Sequence, residues 1–205
     1  MPANYDNSAW FYDRLSRLVY GDALVNAQVW LLPYIPAGAN ILVVGGGTGR
    51  ILEELAKIHP GGLHITYAEV SAKMIALAKK RNIGQNRVTF INDAIENIDQ
   101  PVNFDVVITA FLFDNFTEPT LGKIFNHIHS LLKPGGLWLY TDFQHTGKWW
   151  QWLLLRSMLL FFRILCGVEA SKLPDVQKHF DQNNCRLIAQ KTFFNEFIIS
   201  KALSS

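Results

Sequence analysis

Between residues 41 and 141, five short apolar runs alternate with stretches of helical periodicity, and no other feature of the chain constrains its fold as much. The runs are ILVV (41–44), LHITYA (63–68), VTFI (88–91), FDVVIT (104–109) and LWLYT (137–141). Rich in β-branched residues and bounded by glycine, proline or polar turns, they read as strands, most of them buried on both faces as in a parallel sheet. Between them, Ile51, Leu55 and Ile58 share one helical face, and so do Met74, Ile75, Leu77 and Ala78. Leu121, Ile124, Phe125, Ile128, Leu131 and Leu132 define a third such face. His59-Pro60-Gly61-Gly62 and Lys133-Pro134-Gly135-Gly136 are predicted to stop the first and third helices, and Ser71 to cap the second. Such alternation predicts right-handed crossovers and a doubly wound sheet, with ligands at the carboxyl ends of the strands.

The C-terminal third breaks the rhythm. Residues 172–183 read as a helix, and 185–191 and 193–200 are β-rich runs with almost no link between them. So short a connection cannot hold a crossover helix, which makes the pair an antiparallel hairpin. The expected fold is α/β: a doubly wound, Rossmann-like sheet of about seven strands, mostly parallel with an antiparallel C-terminal hairpin.

The first strand runs into VVGGGTGR (43–50). Counted from Gly45, the sixth position is Arg50, so the loop reads G-x-G-x-G and not the dinucleotide fingerprint G-x-G-x-x-G. Glu69 ends the second strand, where a carboxylate can accept hydrogen bonds from both hydroxyls of a ribose. Asp93 follows the third strand. It can accept from an adenine amino group or cap the turn at 94–97, and both readings stand.

These residues resemble one family. VVGGGTGR, Ala68-Glu69-Val70-Ser71 with Met74, Asn92-Asp93-Ala94, Phe104-Asp105-Val106-Val107 and Leu132-Lys133-Pro134-Gly135-Gly136 occur in the order seen in class I S-adenosylmethionine-dependent methyltransferases, and the predicted hairpin matches that fold's antiparallel last strand. The resemblance implies S-adenosyl-L-methionine as cofactor. It implies the loop Gly45, Gly46, Gly47, Thr48 and Gly49 against the methionine and ribose portion, and Glu69 on the ribose hydroxyls. Val70 and Met74 would lie near the adenine, with Asp93 and Ala94 at its amino group, and Thr109 and Phe111 beside the sulfonium. One departure is Val43, where the family usually carries an acid. Asn4-Tyr5-Asp6 and Phe11-Tyr12-Asp13-Arg14 resemble more loosely the N-terminal segment of quinone-biosynthesis methyltransferases, which covers the cofactor. This makes Tyr12 and Tyr20 candidate lid aromatics, the other reading being packing of an N-terminal helix on the sheet. The chain is then expected to be one methyltransferase domain, with an N-terminal helical cap (1–38), a cofactor-binding core (39–145), an apolar helical insertion (146–171) and a C-terminal helix and hairpin (172–205).

Methyl transfer from a sulfonium asks the protein mainly to align the acceptor and exclude water, and a base is needed only for weak nucleophiles. His145, Asp142 and Asp114 follow strands four and five and are the candidate catalytic residues, His145 foremost. His127 and His129, two apart on a helix, point in different directions, and no metal site is expected. Phe111, Phe113, Phe116 and Phe143 lie at the same edge and suggest a lipophilic or aromatic small-molecule acceptor, unless they are core.

The 19 basic and 17 acidic residues leave a net charge of +2, too small for a nucleic-acid footprint. Cys166 and Cys185 without a C-x-x-C, and an N-terminus without a basic region leading into an apolar core, set a cytoplasmic expectation. Residues 149–168, WWQWLLLRSMLLFFRILCGV, have the length of a membrane span but carry Arg156 and Arg163 seven apart on one stripe. Arginine at a bilayer centre costs about 2.5–3.5 kcal/mol, which argues against a spanning helix. Three readings remain: a helix buried against the sheet, a helix at a membrane surface, or the wall of an apolar pocket and subunit contact. The alternatives to methyl transfer are a non-catalytic cofactor-binding or membrane-surface module, and a nicotinamide-dependent oxidoreductase.

Overall fold

The structure is a computed structural model that describes residue 6 and residues 12–98, 104–167, 170 and 172–205, with the side chain of Tyr12 excepted. Asn4, Tyr5 and Phe11, and the Tyr12 side chain, lie outside the described residues.

Seven strands form one sheet in the order β3-β2-β1-β4-β5-β7-β6. They are β1 (Asn40–Val44), β2 (Gly61–Ala68), β3 (Gln85–Ile91), β4 (Phe104–Ala110), β5 (Leu132–Phe143), β6 (Arg186–Phe193) and β7 (Ile198–Ser204). β1 to β5 pair in parallel, and β7 pairs antiparallel with both β5 and β6. The order reverses at β1, so the mouth between the carboxyl ends of β1 and β4 is the switch point where such sheets take ligands. Helices α1 (Tyr12–Tyr20), α2 (Ala23–Val29), α3 (Arg50–Ile58), α4 (Ala72–Ala78), α5 (Glu118–Leu131), α6 (Trp149–Cys166) and α7 (Val176–Gln182) complete the fold.

Side-chain alternation along β1 divides the core. Leu42 and Val44 face α5 and α7 through Phe125, Trp138 and Phe180, whereas Ile41 and Val43 face the layer of Leu52, Leu55 and Tyr67. A third cluster joins α6 to α1, α2 and the hairpin through Leu155, Leu159, Tyr20, Phe143 and Phe197.

Three boundaries differ from expectation. α3 does stop at Ile58, before His59-Pro60, but β2 begins at Gly61 and not at Leu63, because it reaches back to pair Gly61 with Gln85. Lys133 to Gly136 form a bulge inside β5: Phe104 pairs with Leu132, then Val106 with Leu137. The hairpin has a real turn at 194–197, with Phe194, Asn195 and Glu196 all at positive φ, which moves β7 five residues later than its β-rich composition suggests.

α6 is not buried all round. Gln151, Leu155, Leu159 and Cys166 face inward, but Trp149 and Ile164 are 76% and 75% exposed. Among the described residues no helix is long and apolar enough to cross a membrane.

Candidate functional site

At the switch point the glycine loop is held from below by β2. The Tyr67 hydroxyl donates to the Gly47 carbonyl at 2.9 Å, and the Gly47 N–H donates to Glu69 Oε2 at 3.0 Å. Gly47 has φ of 61° and open space where a side chain would stand, so its backbone faces the cavity in a conformation that favours glycine. Gly46 has no such space: a Cβ there would lie 2.3 Å from the Tyr67 ring.

Glu69 is buried and accepts a second hydrogen bond, from the Ser71 N–H at 2.8 Å. Burial pushes its carboxyl above the ordinary glutamate range, against the pull of the backbone N–H groups. Such a carboxyl gains from further donors, and two hydroxyls of a ribose would supply them. Asn92 fixes this corner by donating to the carbonyls of Glu69 and Val70. Asp93 does cap its turn, accepting through Oδ1 from the Ala94 N–H and Asn97, both at 2.7 Å. It also borders the cavity, so capping does not exclude the ligand reading.

The resulting cavity is about 310 Å³. Of the expected cofactor residues, Gly45, Gly46, Gly47, Thr48, Glu69, Val70, Met74, Asp93, Ala94 and Phe111 line it. Gly49 instead packs behind the loop, where a Cβ would meet Ala78 at 2.6 Å. Thr109 is turned away: it is buried and its hydroxyl accepts from the Trp138 indole at 2.9 Å, while its strand neighbours Ile108 and Ala110 face the cavity. Strand alternation puts those two and Thr109 on opposite faces.

Two features were missed at the level of sequence. Asp13 of α1 bridges the loop and the end of α4, accepting from Thr48 Oγ1 at 2.7 Å and from Arg81 at 2.6 Å, and Arg81 Nε donates to the Thr48 carbonyl. Asp6 likewise accepts from the Ser71 hydroxyl and the Lys73 N–H. The N-terminal segment that carries them was visible, but not these partners. The second feature is Arg50, which lines the cavity and has a buried Nε with no hydrogen-bond partner among the described residues. Val43 borders the same cavity, where it contributes apolar wall in place of an acid.

A second, apolar cavity of about 250 Å³ adjoins the first, and Phe111 and Asn115 line both. Phe111 sits at φ of 52°, an uncommon conformation for a bulky residue, held by its N–H to the Thr141 carbonyl and by the Asn115 amide on its own carbonyl. α1 and α6 form the walls through Leu15, Val19, Met158 and Phe162. Tyr20 lines this second cavity, its hydroxyl on Met158 Sδ at 3.2 Å. Of the other phenylalanines read as pocket residues, Phe143 lines this cavity, Phe116 the first, and Phe113 is core.

Asp114 is the acid in this apolar cavity, and burial, then the nearby Asp142, pushes its carboxyl well above the ordinary range. Asp142 lies behind it, accepting from the N–H groups of Phe113 and Phe143, and burial raises it to about 7. His145 is exposed, takes the Gly147 N–H on Nδ1 and lines neither cavity. The loop after β5 carries it outward. Among the described residues no group of three or more potential ligands could hold a metal.

Residues 41–136 match the family model described as a methyltransferase domain. Together with the relatives and the shared fold, this match indicates a class I S-adenosylmethionine-dependent methyltransferase domain. Around this methyltransferase core the chain is 30% identical over 147 residues to a demethylmenaquinone methyltransferase of Clavibacter sepedonicus, covering 69% of this chain and 57% of that protein. It is 34% identical over 111 residues to a malonyl-[acyl-carrier protein] O-methyltransferase of Bacillus cereus, covering 53% and 39%. The chain thus spans well under two thirds of the length of these relatives. Among solved structures, a Burkholderia thailandensis 1,6-didemethyltoxoflavin-N1-methyltransferase with bound 1,6-didemethyltoxoflavin and S-adenosylhomocysteine aligns over 97% of this chain and 84% of its own, with a TM-score of 0.67 at 14% identity. That likeness is one of fold. The methyltransferase assignment does not favour a nicotinamide oxidoreductase, in keeping with the G-x-G-x-G loop and the antiparallel β7.

Proposed function

We propose that the chain binds S-adenosyl-L-methionine in the first cavity and transfers its methyl group to a small lipophilic or aromatic acceptor in the second. The observation that carries this reading is the meeting, at Phe111, of a glycine-cradled cavity that holds Glu69, Asp93 and Arg50 and a second cavity whose walls are largely apolar. When bound, the cofactor supplies a methyl group on a positively charged sulfur, already activated for in-line displacement. The residues fit it. Glu69 would take the ribose hydroxyls, Met74 and Val70 the adenine face, and Asp93 the adenine amino group. Arg50, whose buried Nε has no partner among the described residues, would take the carboxylate of the methionine portion.

The rest of the work is positioning and exclusion of water. The Asp13–Thr48–Arg81 bridge draws α1 over the loop, and the apolar walls of the second cavity keep the acceptor dry. Where the acceptor is a hydroxyl or an acidic carbon, its proton passes to Asp114, the carboxyl that lines the second cavity, acting in its ionised form. Asp142, held on the backbone N–H groups of Phe113 and Phe143, adds to the effect of burial in favouring the protonated form of Asp114. Incubation with methyl-labelled cofactor and a cell extract tests the reading. Label entering the organic-soluble fraction, and lost in Asp114→Asn, is expected; label confined to water-soluble products overturns the lipophilic acceptor.

A further inference from the structure

The exposed face of α6 is apolar and continuous with the second cavity. Trp149, Leu153, Leu160 and Ile164 share one stripe at the 3.6-residue period. At one edge of that stripe lie Trp152, Arg156 and Arg163, with the Arg156 guanidinium 5.0 Å over the Trp152 ring. At the other edge lie Ser157 and Phe161, which line the cavity, and across the mouth Val19 of α1 both lines it and is exposed.

We propose that this face seats on a lipid bilayer bearing anionic headgroups, so that the second cavity opens into the apolar layer and receives its acceptor from there. The clause about delivery rests on the lipophilic-acceptor reading; the docking itself does not. Charge decides the occupant. α6 contains no acidic residue, and neither Arg156 nor Arg163 makes an ion pair among the described residues. A second copy of the chain docked through the same face would bring four arginines together with no acid on either helix to meet them. Anionic headgroups do meet them, while the aliphatic stems and the two tryptophans occupy the boundary that such side chains favour.

Flotation of the full chain with phosphatidylcholine vesicles, with and without phosphatidylglycerol, tests this. The chain is expected to float with the anionic vesicles, less so as salt rises. Arg156→Gln with Arg163→Gln should lower the partition coefficient roughly 30-fold, the effect of two basic groups near such a surface. Leu160→Ser with Ile164→Ser should abolish flotation while S-adenosylhomocysteine affinity, read by calorimetry, is unchanged. Equal or absent partition into both vesicle types overturns the proposal, as does light scattering that shows a dimer dissociated by Leu160→Ser with Ile164→Ser. Because flotation needs no cofactor, a failed cofactor titration would sink the methyltransferase reading and leave the docking result standing.

Discussion

The hydroxyl of Tyr67 donates to the carbonyl of Gly47 at 2.9 Å, and the same ring fills the space where a side chain at Gly46 would begin. One buried aromatic on β2 therefore sets both the height of the glycine loop and the identity of a residue within it. Gly46→Ala is expected to displace the ring, at a cost of about 1–3 kcal/mol from overpacking. Tyr67→Phe keeps the packing and loses one hydrogen bond, a cost of about 0.5–1.5 kcal/mol. Thermal denaturation checks this ranking, and cofactor titration should follow it.

The Asp13 bridge closes the site from above. Its groups are partly exposed, so screening limits the pair to about 1 kcal/mol, or about fivefold in cofactor Kd on removal. Asp13→Ala should show that loss with little change in Tm, and the N-terminal segment should become more sensitive to limited proteolysis. Cofactor affinity equal to wild type would show that α1 does not act on the site.

Asp114 and Asp142 set a pH dependence of unusual sign for carboxyls. Their native-state affinities for protons are raised, so the native state holds more protons than the unfolded chain and stability falls as pH rises. For Asp142 the window runs from its ordinary value near 3.8 up to about 7. Asp142→Asn should therefore gain Tm relative to wild type on going from pH 5 to pH 8. A difference that is flat, or that shrinks with pH, contradicts the assignment.

Much of this fold could be read from local pattern because its strands are short, apolar and separated by helical periodicity. β1 to β5 and the closing hairpin follow from that alone. What could not be read depends on partners distant in the chain. The bulge at 133–136 exists because Val106 pairs with Leu137, and no local preference of Lys-Pro-Gly-Gly reveals it. Thr109 sits one residue from a cavity-facing position, and a single step along a strand reverses its face. Asp13 meets Arg81 through the packing of α1 on the loop, and nothing in either neighbourhood marks the pair. The exposed stripe of α6 was legible as composition, but which half of the helix would be covered depended on where Leu155 and Leu159 found the hairpin.

Titration of S-adenosylhomocysteine into the wild-type chain and Glu69→Ala, by calorimetry, tests the central claim most directly. One saturable site is expected in the wild type. Loss of a buried carboxylate proposed to accept from two ribose hydroxyls should weaken it about 10- to 100-fold, with Tm followed as a control for folding. No binding at millimolar ligand, or an affinity unchanged in Glu69→Ala, would contradict the account.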